Sequence, residues 1–291
     1  ACSRPCAITS STRAAASNRR LSEVMNTRPD ISDDGASRRE YRVEKGSIEF
    51  RNVSFRYFKN VGAPVLDDVS VKIEPGEFVG IIGSTGSGKS TFVSLIPRLY
   101  DPDAGEVLVD GIDVKELSLH ELRESVAVVL QKNTLFSGTI AENLRWGNEE
   151  ASDEALVQAC RIAQADSFIR SFPDGYETQI GQGGGNLSGG QKQRLCIARA
   201  LLKKPKIMIL DDSTSAVDTA TDASIRRAFG TQLSHVTRLV IAQRISSVMD
   251  ADKILVMDEG HLAACGTHEE LIQSCTAYQE IYYSQKEEGH E

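Results

Sequence analysis

The sequence predicts an α/β fold with a mainly parallel central sheet. Three observations carry that prediction. Short, wholly apolar runs recur along the chain, helical patterns lie between them, and a glycine-rich loop joins one such run to a helix. A chain of 291 residues is long enough to bury a sizeable core. No apolar run approaches the roughly 20 residues that a membrane-spanning helix needs.

Residues 1–45 are polar, with Ser, Arg and Asp scattered through them. Ala14–Met25 fits a helix with Leu21 and Val24 on one face, and Thr27–Arg39 reads as a linker around Pro29 and Gly35. The texture changes at Gly46. Ile48, Phe50, Val53 and Phe55 sit among polar residues, as half-buried β-structure does, and Val65–Ile73 repeats the style before the turn Glu74-Pro75-Gly76. Phe78–Ile82 is apolar throughout, which suits a strand buried on both faces. Ile207–Leu210, Leu239–Ala242 and Ile254–Met257 have the same character. Ser152–Gln164, Gln191–Lys203 and Ala220–Leu233 carry helical periodicity. The second of these stops at Lys203-Lys204 with Pro205 beyond, a cationic end followed by a breaker.

Charge and cysteine usage narrow the function classes. The balance of 41 acidic against 33 basic residues gives −8, so a nucleic-acid partner is not expected. Cys2, Cys6, Cys160, Cys196, Cys265 and Cys275 form no C-x-x-C pair and no zinc-ligand spacing, so reduced thiols are expected. Residues 1–22 lack acids and carry four arginines, a texture that a transit peptide shares.

The strongest motif is Gly83-Ser84-Thr85-Gly86-Ser87-Gly88-Lys89-Ser90, which fits the P-loop pattern G-x-x-x-x-G-K-[ST]. A glycine/serine loop can match it by chance, but this one follows the strand Phe78–Ile82 and precedes the helical run Thr91–Ile96. Glycines let successive N–H groups curl around an anion, and the helix start points its positive end at the same phosphates. Lys89 can reach the β- and γ-phosphates, and the Ser90 hydroxyl can ligate Mg²⁺. Ile207–Leu210 ends in Asp211, a Walker-B candidate that reaches Mg²⁺ directly or through water. Asp212 follows, where a water-activating carboxylate is expected. Leu187-Ser188-Gly189-Gly190-Gln191 opens a helix on a glycine-rich turn. It reads either as a second phosphate-facing surface or as a tight turn capped by Ser188.

Gly83–Ser90, Leu187–Gln191 and Ile207–Asp212 together resemble the motifs of ABC transporter nucleotide-binding domains, over roughly Gly46 to Gln285. The resemblance implies a P-loop NTPase (RecA-like) core with a mainly parallel sheet, an antiparallel β-subdomain, and an inserted helical subdomain at about residues 134–204. It implies ATP and Mg²⁺, and head-to-tail dimers that enclose ATP between one chain's P-loop and the other's signature motif Leu187–Gln191. On that resemblance the nucleotide-binding set is Tyr57, as an aromatic stacking on adenine, with Ser84, Thr85, Gly86, Ser87, Gly88, Lys89, Ser90 and Thr91. Ser90, Gln131 and Asp211 would face the metal, and Gln131 would also touch the attacking water, as a catalytic residue, and border the surface that couples to a membrane domain. Ser215-Ala216-Val217-Asp218 resembles the D-loop, and Thr178–Gly184 the exporter X-loop, although Gln179 stands where a Glu is usual. Residues 1–45 then read as the connector from a transmembrane domain of the same polypeptide, and 46–291 as the ATP-binding domain. The exporter subclass rests on that connector, on Leu135–Asn143 and on the X-loop.

Two positions depart from the family pattern. The usual catalytic Glu is Asp212, and the usual switch histidine is Gln243. Asp is a methylene shorter, and a displacement of about 1 Å can cost around 100-fold in rate. Gln243 can hydrogen-bond a phosphate but carries no imidazolium charge. With P-loop and signature intact, the pair resembles the degenerate-site half of a heterodimeric exporter of multidrug or lipid type. The expected function is an ATP-binding and ATPase domain of a half-transporter at the cytoplasmic face of the membrane, slow by itself, with a second half-transporter chain as partner. The alternative is a non-hydrolysing regulatory subunit. A soluble ABC ATPase of DNA repair or translation would need coiled-coil insertions, or a tandem second ATPase domain, and a basic surface, which this sequence lacks.

Overall fold

The computed structural model describes residues 22, 25–26, 29–38, 40–58, 62–212 and 217–288. The chain divides into residues 1–32 and 33–291. In the first unit Ser22, Met25 and Asn26 are helical, and the Asn26 amide donates to Ser22 Oγ at 3.2 Å. Most of the expected Ala14–Met25 helix lies outside the described residues. The second unit starts at Asp33, ahead of the change of texture at Gly46. The reason is specific contact: the Leu119 N–H donates to Asp33 Oδ1, and Arg38 bridges to Leu117.

The parallel sheet comes from the apolar runs. Strands β3 (Phe78–Ile82), β9 (Ile207–Asp211), β10 (Thr237–Ile241) and β11 (Lys253–Asp258) join β6 (Val126–Val129) and β12 (His261–Gly266) in the order β12-β11-β3-β10-β9-β6. Every pairing is parallel except β11 with the edge strand β12. β10 is buried at all five positions, as expected when both faces are covered. The half-buried segments form a separate antiparallel sheet, β2-β1-β4-β5, from β1 (Ile48–Phe55), β2 (Leu66–Ile73), β4 (Ala104–Val109) and β5 (Ile112–Asp113). Asp110 pins its entry by accepting the N–H groups of Glu44, Lys45, Gly46 and Ser47 at 2.8–2.9 Å.

Helix α1 (Lys89–Leu95) lies between the two sheets, and Phe92 stacks on Phe50 with ring centroids 4.1 Å apart. Both rings are fully buried, so truncating either to Ala costs about 3–5 kcal/mol. Helix α2 (Leu119–Ser125) precedes β6. A helical layer follows: α3 (Ile140–Arg145), α4 (Asp153–Ile162), the short α5 (Asp166–Ile169) and α6 (Gly189–Leu202). It carries its own hairpin of β7 (Gly138–Thr139) and β8 (Gln179–Ile180). α6 buries Leu195, Ile197, Ala198, Leu201 and Leu202 against this layer and the sheet. Helices α7 (Thr219–Gln232), α8 (His268–Ser274) and α9 (Thr276–Glu288) complete the unit. Among the described residues no helix is long and apolar enough to cross a membrane. The fold is that of a P-loop NTPase, mixed α/β with parallel and antiparallel sheets.

Candidate functional site

Four neighbouring strands of the parallel sheet deliver their chemistry at the same edge. Gly83 follows β3, Gln243 lies just past β10, Asp211 ends β9, and Gln131 lies just past β6. In an open α/β sheet the crevice beyond the carboxyl ends of the strands is where ligands bind. There the structure has a cleft of about 410 Å³, lined by Tyr57, Val65, most of the stretch Gly83–Thr91, Gln131, Asp211, Asp212, Ile241 and Gln243. Residues far apart in sequence are thus brought together by strand order.

The loop backbone requires glycine where it is tightest. Gly83 has φ +146°, and a Cβ there would lie 2.0 Å from the Met257 carbonyl oxygen. Gly86 has φ +87° with no atom within 4 Å of where a Cβ would stand, which leaves the cradle open on the cleft side. Gly88 caps α1 with φ +95°, and no side chain caps that helix, so its first N–H groups remain open to an anion. Lys89 Nζ donates to the carbonyls of Gly83 at 2.8 Å and Ser84 at 2.6 Å. Burial lowers the Lys89 pKa from its ordinary range, opposed by the charges of Asp211 and Asp212. Ser84 and Ser87 do not face the cleft: Ser84 lends its carbonyl, and the buried Ser87 hydroxyl accepts from Lys89 at 3.3 Å. Thr91 is buried and hydrogen-bonds the Tyr57 hydroxyl at 2.8 Å. The Tyr57 ring stands edge-on to Phe55 and Tyr100 and remains half exposed at the cleft mouth.

Opposite the loop, two side-chain amides converge on one carboxylate oxygen. Gln131 Nε2 donates to Asp212 Oδ2 at 3.0 Å, and Gln243 Nε2 donates to the same oxygen at 2.6 Å. Asp212 is buried in the left-handed region at φ +46°, its N–H donating to the Ile241 carbonyl at 3.0 Å. The residue after the strand therefore turns its carboxylate back toward the loop side of the sheet edge.

The other expected positions lie elsewhere. Ser188 caps α6 and forms a reciprocal capping box with Gln191: Ser188 Oγ accepts from the Gln191 N–H at 3.2 Å, and Gln191 Oε1 accepts from the Ser188 N–H at 2.9 Å. Both readings of that turn survive, since a capped helix start still presents exposed N–H groups. Among the described residues the cleft's lining includes none of Leu187, Ser188, Gly189, Gly190 or Gln191. Asp218 caps α7 through the Thr221 N–H at 2.9 Å, and hydrogen bonds from Thr221 lower its pKa. Ser215 and Ala216 lie outside the described residues. In Leu135–Asn143, the buried Asn143 amide ties down the Phe136 and Thr139 carbonyls at 2.9 and 3.0 Å, which is a structural duty. The X-loop segment supplies Gln179–Ile180 as the strand paired to Gly138–Thr139.

One contact to this site had no sequence signal. Gln285, in the last helix, holds the backbone on both sides of Arg244, reaching the Gln243 carbonyl and the Ile245 N–H. A lone glutamine near the end of a helix carries no motif, so only the fold reveals it.

The donor set suits a hard divalent cation. The Ser90 hydroxyl, the Asp211 carboxylate and the Gln131 amide line one cleft and offer oxygen ligands of the kind Mg²⁺ prefers. Among the described residues no cluster of three or more His, Cys, Asp or Glu side chains forms a cage. A cation here would therefore rely on phosphate and water for its remaining ligands.

Comparison with known proteins agrees with this geometry. The family model described as "ABC transporter" matches residues 66–215. The chain is 46% identical over 274 residues to an uncharacterized ABC transporter ATP-binding protein, YfiB, of Bacillus subtilis (strain 168), covering 94% of this chain and 47% of that protein. It is 44% identical over 254 residues to an ATP-dependent lipid A-core flippase of Chromobacterium violaceum, covering 87% of this chain and 43% of that protein. The structure superposes on a bacterial Atm1-family ABC exporter solved with ATP bound, with TM-score 0.88 and 34% identity over 94% of this chain and 48% of that one. The chain spans about half the length of the curated relatives it matches. A phosphate loop between β3 and α1, a carboxylate at the end of β9 and a family match across both lead to one conclusion: the chain belongs to the ABC transporter family, whose ATP-binding domain it carries.

Proposed function

We propose that this chain is the ATP-binding domain of an exporter half-transporter, with its own site built for binding and slow at hydrolysis. One observation carries the reading: the Lys89 loop, Tyr57, Asp211, Asp212, Gln131 and Gln243 line a single cleft. Tyr57 offers its half-exposed ring to adenine. The glycine-rich loop and Lys89 hold the phosphates. Ser90, Asp211 and Gln131 would hold Mg²⁺, which when bound would neutralise charge on the β- and γ-phosphates. We assign to Asp212 the task of orienting or deprotonating a water, and its short side chain is already engaged by two amides.

The signature turn Leu187–Gln191 lies outside this cleft, which supports a role toward ATP on a second chain, a half-transporter whose own site has a better base. An exposed apolar patch supports a membrane-domain partner. Phe136 stacks on Trp146 with centroids 4.4 Å apart beside the exposed Leu130, next to Gln131, around a groove of about 320 Å³. We assign that groove to the transmembrane domain and infer that the chain works at the cytoplasmic face of the membrane. The lipid A-core flippase among its relatives favours a hydrophobic cargo.

The test is nucleotide binding. MgATP at 100 times its dissociation constant should stabilise the chain by about 2.7 kcal/mol. Lys89→Ala removes the cation that reaches the phosphates and should abolish the thermal shift. An unchanged shift in that variant would remove the loop from the site.

A further inference from the structure

We propose that Gln285 is a positioning residue for Gln243, clamping the loop that carries it and so setting the site's preference for a nucleoside triphosphate over a diphosphate. The proposal rests on the nucleotide reading above.

The clamp uses both ends of one amide. Gln285 Nε2 donates to the Gln243 carbonyl at 2.6 Å, and Gln285 Oε1 accepts the Ile245 N–H at 2.9 Å. A carbonyl only accepts and a backbone N–H only donates, so the orientation of the amide is fixed by its partners. The two backbone groups flank Arg244, in the short stretch where β10 has ended and the turn Ile245–Ser247 begins. There the sheet ladder no longer holds the chain, and the side chain of Gln285 takes over that task.

The clamp is mounted on a seated helix. Tyr278 of α9 is fully buried, and its hydroxyl pairs with His268 Nδ1 at 2.7 Å. Ile281 and Tyr282 pack on the core cluster. Tyr278, Ile281, Tyr282 and Gln285 follow the i, i+3, i+4, i+7 pattern of one helix face. The face that buries Tyr278 therefore delivers Gln285 to the loop. Gln279 adds a bond to the Ile272 carbonyl at 2.8 Å.

Beyond the clamp, the contacts run into the cleft. Gln285 holds the backbone of Gln243, whose side chain reaches Asp212 Oδ2 at 2.6 Å. Gln285 itself does not line the cleft. It acts through Gln243, which lines the cleft beside Asp212 and which, on the nucleotide reading, senses the terminal phosphate. A loosened loop lets the Gln243 amide wander, which weakens a contact that a triphosphate makes and a diphosphate does not.

The experiment measures affinities of the full chain for ATPγS and ADP, with Mg²⁺, in three forms: unaltered, Gln285→Met and Gln285→Glu. Met keeps the length and removes both hydrogen bonds; Glu keeps the acceptor for Ile245 and loses the donor to Gln243. The expected result is a loss of about threefold to tenfold in ATPγS affinity for Gln285→Met, the size of one positional hydrogen bond. ADP affinity and the Tm without nucleotide should hold, and Gln285→Glu should fall between. A merely structural tether would lower the Tm and weaken both nucleotides alike, and that result overturns the proposal. So does an unchanged ratio of the two affinities in both variants. An unaltered chain that binds neither nucleotide overturns the nucleotide reading itself, and the role given to Gln285 falls with it.

Discussion

The Gln243 side-chain amide donates to Asp212 Oδ2 at 2.6 Å, and Gln131 donates to the same oxygen at 3.0 Å. A carboxylate oxygen has two acceptor sites, so this one is filled without any water. Asp212 and Gln243 are therefore partners in one contact. A neutral amide satisfies the carboxylate on the side facing Gln243. On the proposed function, the site grips a nucleotide while its carboxylate is held by amides instead of being poised toward water.

Tyr57 gives a test that separates stacking from anchoring. Stacking of a base on an aromatic ring is worth about 1–3 kcal/mol. Tyr57→Ala should weaken ATP binding by roughly 5- to 150-fold. Tyr57→Phe keeps the ring, loses only the 2.8 Å bond to Thr91, and should stay within about threefold. Inorganic triphosphate should bind all three forms equally. Equal losses for Phe and Ala would show that the hydroxyl, as an anchor on α1, matters more than the ring.

The signature turn should matter to a site other than the chain's own. Ser188→Arg places a bulky cation at the start of α6, outside the cleft. ATP binding by the chain should be nearly unchanged. In the assembled transporter the turnover should drop about 10²–10³-fold, the usual cost of losing a donor aimed at the reacting phosphoryl group. Collapse of binding by the isolated chain, or survival of assembled turnover, would reduce Leu187–Gln191 to a helix cap.

Asp110 offers a stability test remote from the chemistry. Its two oxygens accept four backbone N–H groups from residues 44–47. Asp110→Asn must turn an NH₂ toward one pair of those donors, at a left-handed backbone that Asn tolerates. A loss of about 2 kcal/mol is expected, or roughly 4–8 °C in Tm for a unit of this size. The extra stabilisation from MgATP should be retained. A larger Tm loss accompanied by lost nucleotide stabilisation would mean that this entry to β1 also shapes the cleft.

What the sequence made legible was local. Phe78–Ile82 is a strand because five consecutive apolar residues suit burial on both faces, and Gly83–Gly88 is a loop whose backbone needs glycine at positions 83, 86 and 88. Ser188 with Gln191 is readable as a capping box from spacing alone. Helix α1 begins at Lys89, ahead of the expected Thr91, because Gly88 serves as its cap. What stayed hidden depends on contacts across the fold. Asp110 looks like any turn aspartate until it meets residues 44–47. Helix α9 has a weak amphipathic pattern, so the burial of Tyr278 and the reach of Gln285 come only from packing. The convergence of Gln131, Asp212 and Gln243 requires the strand order β6-β9-β10, which no local pattern encodes.

The central claim is that this chain's own site binds ATP but lacks a working base. The most direct measurement is steady-state ATP hydrolysis at saturating MgATP by the unaltered chain and by the Asp212→Glu, Gln243→His double variant, across concentrations that allow two copies to pair. A positioned general base contributes roughly 10²–10⁴-fold. The account predicts slow turnover by the unaltered chain and a rise of at least about 100-fold in the variant. Fast turnover by the unaltered chain, equal to that of the variant, would contradict it.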